Sequence, residues 1–245
     1  PHTTEIGIAY MLQGGAVADN SDPNILTPPP GQDWQVDPPH VMLIFPQKLD
    51  LSKYPTRPGG SLPWVMFAGT PYEHMMVPIP AALPKQGKGR VANAMSAGPD
   101  ELGRHAAIAD WPTSGTNFKI VRRGSNGWTC VPDDIAMQPH TLTDDPMCLD
   151  QPWFEWISAS LAGRNPQTTR PGIGYMLQGG SEGSNTDPAA VEPPDGHSWQ
   201  IDPPHIMVIL PTPIDQAQVG TDPRYGRPWV MFADTPFEHI MIPVR

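Results

Sequence analysis

Residues 202–244 read DPPHIMVILPTPIDQAQVGTDPRYGRPWVMFADTPFEHIMIPV, and residues 37–79 carry the same pattern 165 positions earlier, without a gap, as DPPHVMLIFPQKLDLSKYPTRPGGSLPWVMFAGTPYEHMMVPI. Each copy contains three short apolar runs, which begin with His, Trp and His and have Met two positions later. Alternate residues of a β-strand point to the same face. The repeat therefore predicts three strands per copy. If these strands share a sheet, one face of that sheet collects histidine, methionine and tryptophan.

This shared face suggests a soft-metal site or a small-ligand site as the first functional hypothesis. Thioether sulfur suits Cu(I), and imidazole binds both oxidation states of copper. The combination resembles the sites of small periplasmic copper chaperones, in which an aromatic ring lies against the metal, so copper is the predicted cofactor. The alternative is that Met and Trp fill the core while each His bonds at a strand end. The predicted ligands are His40, Met42, Trp64, Met66, His74 and Met76 in the first copy, and His205, Met207, Trp229, Met231, His239 and Met241 in the second.

Two other classes of function stay open. An enzyme would use the Asp-Pro-Pro-His sequence, with the carboxylate orienting the imidazole as a base and a nearby glutamate acting as the acid. The same four residues also form a rigid turn before a strand, and no nucleophile elbow or metalloprotease motif accompanies them. The remaining class is a non-catalytic structural or assembly protein of the cell envelope. The catalytic candidates are Asp37, His40, Glu73, Asp202, His205 and Glu238.

Composition narrows the class of protein. The 34 prolines among 245 residues exclude a fold made mainly of long helices, because proline removes a donor and clashes inside a helix. A net charge of −10 argues against nucleic acid as a partner. No run approaches the length of a membrane span. The expected fold is mainly β, antiparallel and sandwich- or barrel-like, with two short helices.

The segment between the copies contains both predicted helices. One begins at Pro99, with acids in its first turn, and is expected to run to about Ala109. The segments on either side of 125–127, which is Ser-Asn-Gly, predict a β-hairpin. The second helix follows Asp150 as its N-cap and ends at Gly163.

The two cysteines, Cys130 and Cys148, predict one disulfide. Two buried thiols are the alternative. A disulfide in a chain rich in Pro and Trp and poor in Lys favours export to the periplasm or the medium.

The repeat predicts an internally duplicated protein whose modules pack about a pseudo-twofold axis. We expect a first half-repeat at 1–80, a single-copy segment at 81–171 and a second half-repeat at 172–245, all in one body. Residues 1–80 match only the second half of a unit of about 165 residues. A half-duplication, a longer parent chain, and a homo-oligomer that exchanges half-units each explain this mismatch.

Several motifs together resemble a family of uncharacterised bacterial proteins for which export is expected. They are GSNGWTCVPD, DPMCLDQPWFEW, GYMLQGGSEGSNTDP, DPPHIMV and PWVMFADTPFEHIMIPV. The resemblance covers residues 95–244, and residues 6–79 match its second half. It implies export but no activity, cofactor or catalytic residue.

Overall fold

The protein is mainly β, with 27% of its residues in strands and 12% in helices, and its sheets consist mainly of antiparallel pairs, as the sequence predicts. The computed structural model describes residues 3–59, 61–133, 142–223 and 226–244. The chain divides into two units, unit 1 (Pro1–Ala82) and unit 2 (Leu83–Arg245). The internal duplication and the pseudo-twofold axis stay predictions.

Unit 1 is built on one antiparallel sheet and one small β-ladder. The main sheet has the order β1-β4-β6-β5, and β2 pairs with β3. All three apolar runs of the first copy are therefore strands of the same sheet, as predicted. The strands are β1 (Gly7–Met11), β2 (Gly15–Val17), β3 (Gln35–Asp37), β4 (His40–Ile44), β5 (Trp64–Met66) and β6 (His74–Pro78).

Unit 2 has a larger sheet because the single-copy segment adds strands to it. The order is β15-β16-β14-β11-β10-β9-β7-β8, and β12 pairs separately with β13. Its strands are β7 (Ala107–Asp110), β8 (Lys119–Arg122), β9 (Thr129–Val131), β10 (Met147–Leu149), β11 (Gly172–Met176), β12 (Gly180–Glu182), β13 (Gln200–Asp202), β14 (His205–Ile209), β15 (Trp229–Met231) and β16 (His239–Pro243). Its helices are α1 (Arg90–Met95), α2 (Asp100–His105), α3 (Gln151–Leu161) and α4 (Gln216–Val219).

Matching strands of the two units have matching registers. Gly7 lies opposite Ile44 in unit 1, and Gly172 lies opposite Ile209 in unit 2. The offset of 165 residues thus holds for strand pairing as well as for sequence. Each repeated segment adopts the same local pairing.

Two details of the middle segment differ from the sequence prediction. Helix α2 starts as predicted but ends at His105 rather than near Ala109, because Ala106 is extended and β7 joins the sheet there. The predicted hairpin is also wrong, since β7 lies between β8 and β9 and runs parallel to β9. The last residue of β8 explains the difference, because Arg122 donates to carbonyl oxygens at the end of α2, one of them that of Ala106 at 2.7 Å. That contact brings the chain after α2 into the centre of the pairing.

Helix α3 agrees with its prediction. The Asp150 carboxylate accepts a hydrogen bond from the backbone N–H of Trp153 at 3.1 Å and from that of Ile173 at 2.9 Å, so it caps the helix and ties it to β11. Gly163, just after the helix, has a φ of 66°. Helices α1 and α4 were not predicted. Among the described residues, no helix is long and apolar enough to cross a membrane.

A disulfide joins Cys130 and Cys148, which lie directly opposite each other on β9 and β10. This confirms the predicted pairing. The loop that it closes contains residues 134–141, which lie outside the described residues.

Candidate functional site

The predicted His/Met/Trp face exists in both units. Residues opposite each other across an antiparallel ladder share a face. In unit 1, Met76 lies opposite both Met42 and Trp64, and His74 lies opposite Met66. The corresponding pairs in unit 2 are Met241 with Met207 and Trp229, and His239 with Met231.

Most of these side chains are core residues. Trp64, Met66 and Met76 form one buried cluster, and Trp229, Met231 and Met241 belong to a larger one in unit 2. Packing therefore accounts for much of the pattern. A binding role requires a further observation on the same face.

The four histidines on these faces share one hydrogen-bonding arrangement. In each, Nδ1 lies within hydrogen-bond distance of the carbonyl oxygen two residues earlier. A neutral imidazole that donates from Nδ1 keeps a lone pair on Nε2. The distances are 2.6 Å for His40, 2.8 Å for His74, 2.7 Å for His205 and 2.9 Å for His239.

His205 has the most unusual environment of the four. It is fully buried, and its Nε2 has no hydrogen-bond partner within the described part of the chain. Its ladder neighbours are Met176 and Pro243, with Met207 two residues along the strand. Burial lowers the pKa of His205 to about 4, so the imidazole is neutral near pH 7 and its lone pair is available.

His239 lies in an aromatic box beside a pocket. Its ring centroid is 5.2 Å from that of Trp153, 5.9 Å from that of Trp156 and 5.6 Å from that of Phe232, and all three contacts are edge-on. Burial lowers the pKa of His239 to about 4 as well. Phe232 has a positive φ of 54°, an unusual conformation for an aromatic residue.

The pocket has a volume of about 300 Å³ and lies between α3 and the His/Met/Trp face of unit 2. Trp153 and Trp156 form its helical wall, and the indole Nε1 of Trp153 donates to the Met207 carbonyl oxygen at 3.2 Å. Four of the six predicted residues of the second copy line it. They are Met207, Met231, His239 and Met241.

Carboxyl groups line another part of this otherwise apolar pocket. Burial raises the pKa of Glu182 to about 8, of Asp145 to about 7 and of Asp202 to about 6. Repulsion by Asp202 and Asp145 adds to the effect on Glu182, and repulsion by Asp133, which also lines the pocket, and by Asp202 adds to the effect on Asp145. Among the described residues, no lysine or arginine forms an ion pair with Glu182, Asp145 or Asp202.

The polar groups proposed for an enzyme have other partners. His40 and His205 bond to proline carbonyl oxygens rather than to Asp37 and Asp202. Each of those aspartates instead accepts from a glutamine two residues earlier on its own strand, at 2.9 Å and 2.7 Å. The Asp–His pair that the enzyme hypothesis requires is therefore not formed.

The two glutamates of the enzyme hypothesis hold loops in place. Glu73 accepts from the backbone N–H groups of Leu49 and Gly69, and Glu238 accepts from that of Ile214. Neither contact involves one of the repeated histidines.

Two asparagines support the tryptophans, a role that the sequence did not predict; Asn20 is buried and Asn185 is half-buried. Asn20 accepts from the Trp64 indole Nε1 at 3.1 Å, and Asn185 accepts from that of Trp229 at 3.1 Å. Both asparagines occur at matching places in the repeat, which was the available signal. Asp145 and Glu182 were missed because neither has an acidic counterpart in the other copy.

No three His, Cys, Asp or Glu side chains of the described residues form a group that could hold a metal ion. A metal site on these strands would therefore need thioether ligands beside imidazole. Comparisons with protein families, curated proteins and solved structures found no match to the chain.

Proposed function

We propose that unit 2 binds a small organic cation, a ligand with an apolar body and one amine or quaternary ammonium group. The observation that carries the proposal is an apolar pocket of about 300 Å³ lined by four carboxyl groups, three of which, Asp145, Glu182 and Asp202, form no ion pair with lysine or arginine among the described residues. Pockets of this size, with apolar walls and a few convergent polar groups, are typical of small-molecule sites.

The apolar walls of the pocket also suit a cationic ligand, in addition to the carboxyl groups. Indole and phenyl faces attract cations through their quadrupoles, and thioethers adapt their shape to an apolar surface. Trp153, Trp156 and Phe232 supply the rings, and the pocket methionines supply the thioethers. A cation at Glu182 would also compensate for the desolvation that raises the pKa of this carboxyl group.

The test compares a charged probe with an uncharged one of the same shape. Benzyltrimethylammonium is expected to quench tryptophan fluorescence and to bind at least about tenfold more tightly than neopentylbenzene, in which a carbon atom replaces the charged nitrogen. Ionised carboxyl groups favour the cation, so its affinity should rise from about pH 5 to about pH 9 and level off above the pKa of Glu182. Glu182→Gln should weaken binding and flatten this pH dependence. Glu155→Gln, an exposed change on α3, is the matched control.

Equal binding of the two probes would contradict the proposal, because it would leave the carboxyl groups without a role. Absence of binding by the charged probe would contradict it as well.

A second candidate function is binding of a soft metal ion such as Cu(I), and one observation favours it. The buried Nε2 of His205 has no hydrogen-bond partner among the described residues, and methionines adjoin it in the ladder and along the strand. Soft thioethers with one imidazole select Cu(I) over harder ions. His40, with Met11 opposite it in the ladder and Met42 two residues along the strand, provides the equivalent set in unit 1, so up to two ions per chain are expected.

The metal candidate is tested with Cu(I) alone, in competition with a chromogenic chelator and by thermal shift. Met207→Leu conserves volume and costs less than about 1.5 kcal/mol of stability if the sulfur has only a packing role. We expect this variant to lose about tenfold or more in Cu(I) affinity. His105→Gln, which changes an exposed histidine, should have no effect. Unchanged affinity in Met207→Leu, or no thermal shift with Cu(I), would exclude the site.

We also propose that the chain is exported. The Cys130–Cys148 disulfide supports this location, since such bonds persist in oxidising compartments. The resemblance to a family of bacterial proteins for which export is expected agrees with it. The charge of −10 favours a partner other than nucleic acid. A structural or assembly role in the cell envelope would fit the same location.

A further inference from the structure

The sequence YMLQGG occurs in both units, yet its apolar residues are exposed in one unit and buried in the other. Each segment pairs with the repeated His/Met strand in the same register. The difference in exposure therefore depends on what covers the other edge of each strand, the one that faces away from the His/Met strand. The exposed fractions are 37% for Tyr10, 38% for Met11 and 51% for Leu12, against 0% for Tyr175, 6% for Met176 and 1% for Leu177.

In unit 2, the single-copy segment covers this edge. Strand β10 pairs with β11, placing Leu149 opposite Gly174. Asp150 then bonds to both backbone groups of Ile173, accepting from its N–H at 2.9 Å and donating to its carbonyl oxygen at 3.1 Å. Helix α3 follows directly and packs Trp153 on the adjoining face.

In unit 1, the equivalent edge belongs to β1. Strand β1 is at the end of its sheet, with β4 as its neighbour. Ile8 corresponds to Ile173, so its N–H and carbonyl groups point away from β4, and the same alternation applies to Tyr10. This edge therefore has the geometry that accepts a strand in unit 2.

The number of covering segments in the sequence, compared with the number of strand edges, limits what can occupy the β1 edge. The chain contains the covering segment 147–161 once and the edge that it covers twice. Exchange of this segment between copies would move the cover from one unit to another and would always leave one edge bare. A second copy therefore cannot supply the missing cover without exposing its own unit 2.

We propose that the β1 edge of unit 1 binds a polypeptide segment built like residues 147–161, additional to the one that covers unit 2. The partner would add an apolar strand antiparallel to β1, followed by an Asp-capped helix with tryptophan in its first turn. Main-chain hydrogen bonds would supply affinity, as in other cases of strand addition, and the helix would cover Met11. An exposed edge strand with apolar side chains otherwise invites aggregation.

The structure also indicates one difference between this partner and β10. A methyl group on Gly174 would lie 2.9 Å from Met207 Cε and 3.1 Å from Leu149 Cδ2. Unit 1 has Ala9 at the matching position. The partner is therefore expected to carry a residue smaller than leucine where β10 has Leu149.

The experiment uses the full chain and a labelled synthetic peptide of residues 145–163 with Cys148→Ser. We expect saturable binding by fluorescence anisotropy and slower hydrogen exchange at residues 7–12, whereas a scrambled peptide should do neither. A peptide that also carries Leu149→Val should bind more tightly than the parent peptide. Tyr10→Pro removes an outward N–H but no bond to β4, so it should weaken binding about tenfold or more. Leu26→Lys, at a residue that is 79% exposed, is the control.

Three results would overturn the proposal. The first is absence of peptide binding, and the second is binding that Tyr10→Pro leaves unchanged. The third is a dimer of the chain alone, seen by analytical ultracentrifugation, in which residues 7–12 are already protected from exchange, because a second copy would then be the occupant.

Discussion

Replacing Trp153 with alanine is expected to lower the free energy of unfolding by about 3–5 kcal/mol, the range for a buried aromatic residue. Trp153 is 3% exposed, and its ring contacts those of Trp156 and His239, with centroids 4.8 Å and 5.2 Å away. The alanine variant also lacks the hydrogen bond that the Trp153 indole donates to the Met207 carbonyl oxygen. Urea denaturation followed by circular dichroism measures the change.

The same substitution should abolish binding of benzyltrimethylammonium, because it removes a wall of the pocket. Trp34→Ala is the matched control, since Trp34 is 51% exposed and should change stability by less than about 0.5 kcal/mol. A loss below about 1 kcal/mol in Trp153→Ala would show that α3 is not anchored to the sheet through this side chain.

Loss of the disulfide is expected to cost about 3 kcal/mol in the chain-entropy model. Cys130 and Cys148 are 18 residues apart and completely buried, so the bond limits the unfolded chain while joining β9 to β10. The double variant Cys130→Ala, Cys148→Ala should show this loss in chemical denaturation, and dithiothreitol should lower the stability of the parent chain by a similar amount.

The double variant itself provides the control, because dithiothreitol should not change its stability. If the reductant leaves the parent chain as stable as before under conditions that reduce the bond, the cross-link has no stabilising role.

The strands could be predicted because their pattern is local and occurs twice. His40, Met42 and their counterparts alternate with core residues, and a period of two is a property of the strand itself. The same holds for α3, whose start at Asp150 follows from side-chain capping. The pairing of these strands then places their His, Met and Trp side chains on one face of each sheet.

Contacts distant in sequence account for the errors. The predicted hairpin failed because Arg122 and Asn126 bond to the end of α2, which draws β7 between β8 and β9. The hydrogen bond between Asn185 and Trp229 spans 44 residues. None of these contacts follows from the alternation or capping pattern of a single strand or helix.

The amino-acid sequence by itself determined the repeated strands, the face that carries His, Met and Trp, the helix after Asp150 and the cysteine pair, since each depends on local alternation, capping or residue type. Only the tertiary structure decided that the His/Met/Trp face of unit 2 borders a pocket. Helix α3 covers the face of unit 2 and places tryptophans opposite its methionines, with Glu182 and Asp145 nearby. The physical reason is that a strand specifies its own faces, whereas burial, carboxyl pKa values and cavity shape depend on the segment that packs against it.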